Sequence, residues 1–330
     1  MATPKEKTLL LTREDVARLL TLPDLIEELR KAYCLRSETA EAVRPQRAIS
    51  RHGEDSTTVI FPGMLPACDR YTVKVNAKTA GNVERGLPFL RGVIVLINRL
   101  NGANEAVLEA GLITAMRTGA TGAVAADLLA RKDARTVMII GAGLQAEWLL
   151  QALAHVRRIR EVRVHDIVPG RADDWIHRMS SKVPALYHVA ASAREAREVD
   201  IVLTVTQSQE PVLWGEDFRP GQCILAVGAD EPGKNELTSD LMRKCRLVPD
   251  DRELCFSDGA FNVAHRNGEI SDADIHAEIG EILSGKKPGR TNVEETFIFG
   301  NVGLPFQDLV AAQIVRQRAL AEGGGMLFSW

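Results

Sequence analysis

The sequence predicts an α/β protein built on a Rossmann-type doubly wound parallel sheet, and three observations carry that prediction. From Thr136 onward, short apolar runs alternate with segments of helical period, the β-α-β-α order of parallel sheets. The first of these runs leads straight into Gly141-Ala142-Gly143-Leu144-Gln145-Ala146, a G-x-G-x-x-A turn that opens a helix. Apolar residues make up 45% of the chain but aromatics only 5%, so the core must be mostly Ala, Val, Ile and Leu. That mixture suits strands buried on both faces by helices. With 330 residues, at about 150 per domain, two domains are expected.

The elements follow in order. Residues 13–35 read as one or two amphipathic helices, with Thr12 as a cap and Glu14 and Asp15 in the opening turn. Pro23 and Asp24 restart the pattern, and Leu25, Ile26, Leu29 and Ala32 keep helical spacing. Between Arg47 and Leu100, β-type runs at Thr57–Phe61, Tyr71–Val75 and Gly92–Asn98 are separated by Pro, Gly and Asn, which predicts a small antiparallel or mixed sheet. An Ala- and Gly-rich helix is expected from Leu112 to Ala130, its small residues permitting close backbone packing. Strands then fall at Thr136–Ile140, Glu161–His165, Tyr187–Ala190, Ile201–Thr204 and Gln222–Val227, with a further one in Val293–Phe299. Helices fall at Gln145–Ala154, Ala172–Val183 and Ser192–Glu198, and Leu309–Ala321 closes the chain ahead of a Gly323–Gly325 tail expected to fray. The basic run Arg157, Arg158 and Arg160 is expected at a helix C-terminus, where the dipole favours cations.

Composition excludes several classes. A formal charge of −3 offers no basic footprint for nucleic acid. Five cysteines without a C-x-x-C pair argue against a zinc site or a disulfide framework and suit a reducing cytoplasm. No apolar run approaches the roughly 18 residues needed to span a bilayer, and the seven scattered histidines suggest no metal.

The glycine turn is the strongest chemical signal. Gly141 makes the turn, Gly143 lets backbone approach a pyrophosphate, and the helix opened by Leu144 and Gln145 offers N–H groups and positive dipole to the phosphates. Asp166 stands at the end of the next strand, where a carboxylate accepts from the adenosine ribose hydroxyls and repels a 2′-phosphate. NAD(H) is therefore preferred, with NADP(H) left open. As a lone residue, Asp166 also fits a solvated strand end. Arg163 and Arg171 read as surface charges that flank this strand.

Six motifs together resemble the ornithine cyclodeaminase/μ-crystallin family, particularly its alanine dehydrogenase and ketimine reductase branch. They are Val73-Lys74-Val75-Asn76, Gly86-Leu87-Pro88, Met116-Arg117-Thr118-Gly119-Ala120, Gly141-Ala142-Gly143, Val227 through Lys234, and Gly303 through Asp308. The resemblance runs from about Leu9 to Leu320 and implies a Rossmann domain, 121–304, plus a discontinuous α+β substrate and dimerisation domain, 1–120 with 305–330. It implies a homodimer and a small amino-acid or imino-acid substrate. It implies Lys74 and Asp230 as catalytic residues, Arg47 and Arg117 on the substrate carboxylate, and Thr118 and Gln145 near the nucleotide phosphates. Thr204 and Val227, at the ends of later strands, complete the expected cofactor set, and Met64, with Phe61 and residues near Phe299–Pro305, the substrate lining.

Chemistry is compatible with these roles. A guanidinium fork grips a carboxylate bidentately, and a cation inside the small-residue helix at Arg117 needs an anion, whether substrate or an internal carboxylate. Lys74 interrupts an apolar strand; it is either an ordinary surface lysine or a buried proton donor of lowered pKa. Asp230 follows a strand in a Gly-Ala-Asp-Glu-Pro-Gly turn, at the carboxyl edge where ligands of doubly wound sheets bind, though Asp is also a common turn former.

The pattern is broken in one telling place. Cyclodeaminases of the family carry a glutamate ahead of a Met-Pro element, and Thr57–Pro66 contains no acid; Glu54 or Asp55 would have to substitute. Trp148 and Asn301 are smaller departures. The expected activity is thus an NAD(P)-dependent dehydrogenase or imine reductase, with a cyclodeaminase as the alternative enzyme and a nucleotide-dependent binding protein as the alternative of another class.

Overall fold

The computed structural model describes residues 7–39, 46–53 and 55–329. The chain opens with β1 (Lys7–Leu11), α1 (Arg13–Leu19), α2 (Leu22–Glu38), β2 (Ala48–His52), β3 (Ser56–Gly63), β4 (Arg70–Thr79), β5 (Leu90–Asn98), β6 (Asn104–Glu109) and α3 (Ala110–Leu129). An alternating stretch follows: β7 (Thr136–Ile140), α4 (Leu144–Leu153), β8 (Glu161–His165), α5 (Arg171–Met179), β9 (Leu186–Val189), β10 (Ile201–Thr204) and β11 (Cys223–Ala226). Short elements come next, α6 (Ser239–Arg243), β12 (Arg246–Pro249), α7 (Arg252–Ser257), α8 (Asn262–Arg266), α9 (Ile279–Leu283) and β13 (Phe297–Gly300), before α10 (Pro305–Glu322) and β14 (Met326–Ser329). Contacts divide the chain into two units, Met1–Arg117 with Leu304–Trp330, and Thr118–Gly303.

The first unit holds a mixed seven-stranded sheet in the order β14-β1-β6-β5-β4-β3-β2. The pleat sends alternate side chains of β4 to opposite faces, so Thr72, Lys74 and Asn76 are buried while Val75 and Ala77 are exposed. α10 packs on β3, β4 and β5 and against α2, where Tyr33 meets Phe306 edge-to-face with ring centroids 5.0 Å apart. The opposite sheet face keeps apolar residues in the open, with Ile60 40%, Val75 38% and Val93 44% exposed. Val75 pairs with both Ile60 and Val93 across the strands, so the three form one row. The Gly323–Gly325 tail does not fray. Gly323 accepts from Arg18 and Gly325 donates to Asp15, and this turn delivers β14 antiparallel to β1, Lys7 opposite Ser329.

The second unit is the predicted doubly wound sheet, seven parallel strands in the order β12-β13-β11-β10-β7-β8-β9. Ile140, Thr204, Ala226 and Gly300 lie in register across four neighbouring strands. Gly141, Val205, Val227 and Asn301 therefore follow side by side on the carboxyl edge. β8 and β9 build outward on one side of β7 and β10 on the other, which makes β7/β10 the topological switch point. α3 and α4 touch backbone to backbone: a Cβ on Gly119 would lie 2.5 Å from the Trp148 carbonyl oxygen. The expected helix-end role of Arg157 is met on an unexpected helix. Its guanidinium donates to the carbonyls of Ala126, Asp127, Ala130 and Arg131 and to the Asp127 carboxylate, so it closes the end of α3 rather than α4. Arg163 is held by Glu161, Glu195 and Glu198.

Candidate active site

Lys74 is no surface lysine. Its Nζ lies 2.6 Å from Asp308 Oδ2, and the opposite carboxylate oxygen lies 3.4 Å from Arg117 Nε. Lys74 and Asp308 are each 1% exposed and Arg117 8%. Asp308 reaches this position because Pro305 starts α10 and puts the carboxylate in its first turn, where the helix dipole favours an anion. Gln307 fixes the arginine: its Oε1 accepts from Arg117 at 2.9 Å and its Nε2 donates to Tyr33 Oη at 2.7 Å. Lys74 also donates to Thr114 Oγ1 at 3.4 Å. Of the two expectations for Arg117, the structure shows the internal carboxylate partner, which Arg117 shares with a second cation.

The trio carries two positive charges and one negative. Burial, opposed by Asp308 and reinforced by Arg117, pulls the Lys74 ammonium down to about 8, close enough to neutrality to give or take a proton. The excess positive charge suits a carboxylate ligand. Asp308, Gln307, Tyr33 and Thr114 were not singled out from the sequence. The available signal was the polar pair Gln307-Asp308 in an otherwise apolar run, LPFQDLVAA, together with the need of Arg117 for an anion.

Arg47 precedes β2 and is half-buried; Met64 follows β3 and is largely exposed. Phe61 sits directly opposite Lys74 in the β3–β4 ladder, its ring centroid 4.5 Å from Nζ. The strand position facing Lys74 is therefore aromatic. Asp55 lies in the turn at the far end of β3, six residues and about 20 Å from Phe61 at the usual strand rise, so it does not stand in for a missing acid there. Glu54 lies outside the described residues.

On the second unit, the carboxyl edge fits a dinucleotide. Gly141 has φ +100°, and a side chain there would strike the Val205 carbonyl at 2.5 Å, whereas a Cβ on Gly143 would meet nothing within 4 Å. That open space beside the start of α4, where Gly143 is the N-cap without a side-chain cap, is what a pyrophosphate needs. Leu144 is exposed at the first helical position, and Gln145 Oε1 is buried without a hydrogen-bond partner. At the other end of the row, Asn301 is 2% exposed and both its amide atoms lack a partner. Buried polar groups are rarely left so, and these orphans flank the row a nucleotide would follow. The Asp166 carboxylate accepts from the N–H groups of Ala142 and Val168 at 2.8 and 2.9 Å, with Arg171 3.6 Å away, so it braces the glycine turn.

Of the remaining residues, Thr204 and Val227 lie on the same edge. Val227 donates its N–H to Thr204, and Thr118 is buried in α3. The Thr204 side chain is turned inward: its hydroxyl donates to Glu236 at 2.9 Å, so it is committed to the protein. Asp230 is half-exposed on the loop after β11 and pairs with Lys234 at 2.5 Å. Among the described residues no group of His, Cys, Asp and Glu could hold a metal, and no helix is long and apolar enough to cross a membrane.

Comparison with known proteins extends over nearly the whole chain. An alanine dehydrogenase of Archaeoglobus fulgidus is 33% identical over 319 residues, covering 97% of each chain. An archaeal alanine dehydrogenase dimer with bound NAD superposes with a TM-score of 0.91 at 32% identity, over 98% of this chain and 99% of that one. The Thermococcus litoralis Δ1-pyrroline-2-carboxylate reductase, in complex with NADH and L-proline, superposes with a TM-score of 0.92 at 35% identity, over 97% and 99%. Residues 6–323 match the family model for ornithine cyclodeaminase and mu-crystallin, and the chain belongs to the ornithine cyclodeaminase/mu-crystallin family.

Proposed function

We propose that this protein is an NAD(H)-dependent oxidoreductase that moves a hydride at the α-carbon of a small α-amino acid or its imine, cyclic imines included. The observation that carries this is the buried Lys74–Asp308–Arg117 trio with one positive charge in excess. Arg117 and Arg47 grip the substrate carboxylate, the charge the trio lacks. Lys74, drawn down to about 8, holds or releases the proton at the substrate nitrogen. Asp230 stabilises the positive charge of the iminium. Gly141, Gly143, Leu144 and Gln145 hold the pyrophosphate, Asp166 the adenosine ribose, and Thr118 and Val227 the rest of the nucleotide. A bound nicotinamide supplies or accepts the hydride.

The relatives support this assignment by what they act on, alanine in one case and a pyrroline carboxylate in another, and by the NAD or NADH in two of them. Phe61 opposite Lys74 puts a ring rather than a carboxylate at that strand position, so it supplies no acid for cyclodeamination. The 1–120 and 305–330 segments would form the substrate and dimerisation domain, and 121–304 the nucleotide domain. The apolar row of Ile60, Val75 and Val93 is a natural dimer face, and one relative is a dimer. Five free thiols suit a reducing cytoplasm.

The test is NADH oxidation with Δ1-pyrroline-2-carboxylate, other cyclic ketimine acids, and pyruvate with ammonia. Loss of NADH absorbance with one of them is expected. No loss across the panel, or ammonia release from ornithine without net NADH change, would overturn the proposal.

A further inference from the structure

The loop that carries Asp230 is tied shut by a residue to which no role has been given. Glu236 is 1% exposed. Its Oε1 accepts from the Thr206 N–H at 2.7 Å and the Thr206 hydroxyl at 2.9 Å; its Oε2 accepts from the Gly228 N–H and the Thr204 hydroxyl, each at 2.9 Å. These four donors come from the ends of β10 and β11. The Glu236 backbone is anchored as well, since its carbonyl accepts from Val212 and Leu213. One side chain therefore closes the loop 228–236 end to end. Gly228 is required for this closure: a Cβ there would lie 2.3 Å from Glu236 Oε1 and 2.4 Å from the Thr206 carbonyl. Asn262 pins the later part of the same loop, accepting from the Gly233 N–H and donating to the Lys234 carbonyl. Asp230 lies on the short span between these two ties.

We propose that Glu236 is a positioning residue for Asp230: by clasping Thr204, Thr206 and Gly228 it fixes the loop that holds the Asp230 carboxylate in place on its own unit. This rests on the oxidoreductase function proposed above. The chemistry of the clasp makes it sensitive to a minimal change. Each carboxylate oxygen faces one backbone N–H, and a backbone donor cannot turn away. A glutamine has the same shape but only one acceptor oxygen, so in either orientation its NH2 confronts a backbone N–H. Glu236→Gln must therefore open one side of the clasp, at Gly228 or at Thr206.

The experiment measures kcat, KM for the imino acid, and NADH affinity by fluorescence in the wild type, Glu236→Gln, Asp230→Asn and the double variant. Glu236→Gln is expected to lower kcat about 30-fold while changing KM and NADH affinity by less than about threefold. The double variant should be no slower than Asp230→Asn alone, because the two changes remove the same function. If Glu236→Gln fails to fold, Thr204→Val, which removes one donor of similar shape, should lower kcat about fivefold with NADH affinity kept. Wild-type kcat in the variant read, losses that multiply in the double variant, or a parallel loss of NADH affinity would overturn the proposal. An inactive wild type would instead overturn the proposed function itself.

Discussion

At the scale of single residues, the depressed Lys74 sets the pH behaviour. Burial favours its neutral amine, so above about pH 8 the proton it would give to an imine is lost. Imine reduction should therefore fall as pH rises through about 8, and amino-acid oxidation, which needs the free amine, should rise. Asp308 opposes the effect of burial and holds the ammonium up. Asp308→Asn should accordingly move both profiles toward lower pH; a profile that stays in place or moves upward would refute this role. Arg117→Met should raise KM for the amino or imino acid about 100-fold, as for a lost charged carboxylate contact. NADH affinity, read by fluorescence titration, should be unchanged, and an unchanged KM would remove Arg117 from the substrate site. Lys74 and Arg117 stood out in the sequence through the motifs that resemble the family, while residue type alone left Lys74 open as a surface lysine and Arg117 as half of an internal ion pair. Asp308 was not singled out, because a single carboxylate at a helix start also reads as an ordinary first-turn acid.

At the scale of elements, the glycine turn between β7 and α4 needed only local chemistry to be found, since strand, turn and helix are consecutive. Arg157 illustrates the opposite case. It lies just after α4 in sequence, yet its guanidinium closes the end of α3, 27 residues away at Ala130. The Asp127 carboxyl, raised by burial but lowered more by Arg157 and Lys132, sits at about 2. Arg157→Ala should cost about 2–3 kcal/mol, because buried carbonyls and a charge partner lose their donor together. Arg157→Lys should recover little of it, since a single ammonium cannot span several carbonyls. Thermal denaturation checks both, and a melting temperature unchanged in Arg157→Ala would refute the cap. The strands β1, β2 and β14 escaped sequence reading for a similar reason. β1 and β14 are short, and what makes them strands is long-range pairing, β1 with both β6 and β14 and β14 with β1. β2 is short and polar and depends on its ladder with β3.

At the scale of the whole molecule, the open apolar row on the sheet of the first unit is the feature with a consequence for assembly. Val75→Asp with Val93→Asp places two charges on paired positions of that face. If the face is the dimer contact, sedimentation should change from dimer to monomer, because burying two unpaired carboxylates per subunit is prohibitive. A double variant that sediments as the wild type would assign the dimer to another surface. The sequence by itself determined the parallel sheet and its nucleotide-type turn, both of which are written in local period and residue type. Tertiary structure alone decided that Asp308 joins Lys74 to Arg117, that Phe61 faces that lysine, and that Glu236 closes the Asp230 loop. Each of these depends on which strand or helix lies beside which, and a chain's long-range pairings are set by the packing of its core rather than by any neighbouring stretch of sequence.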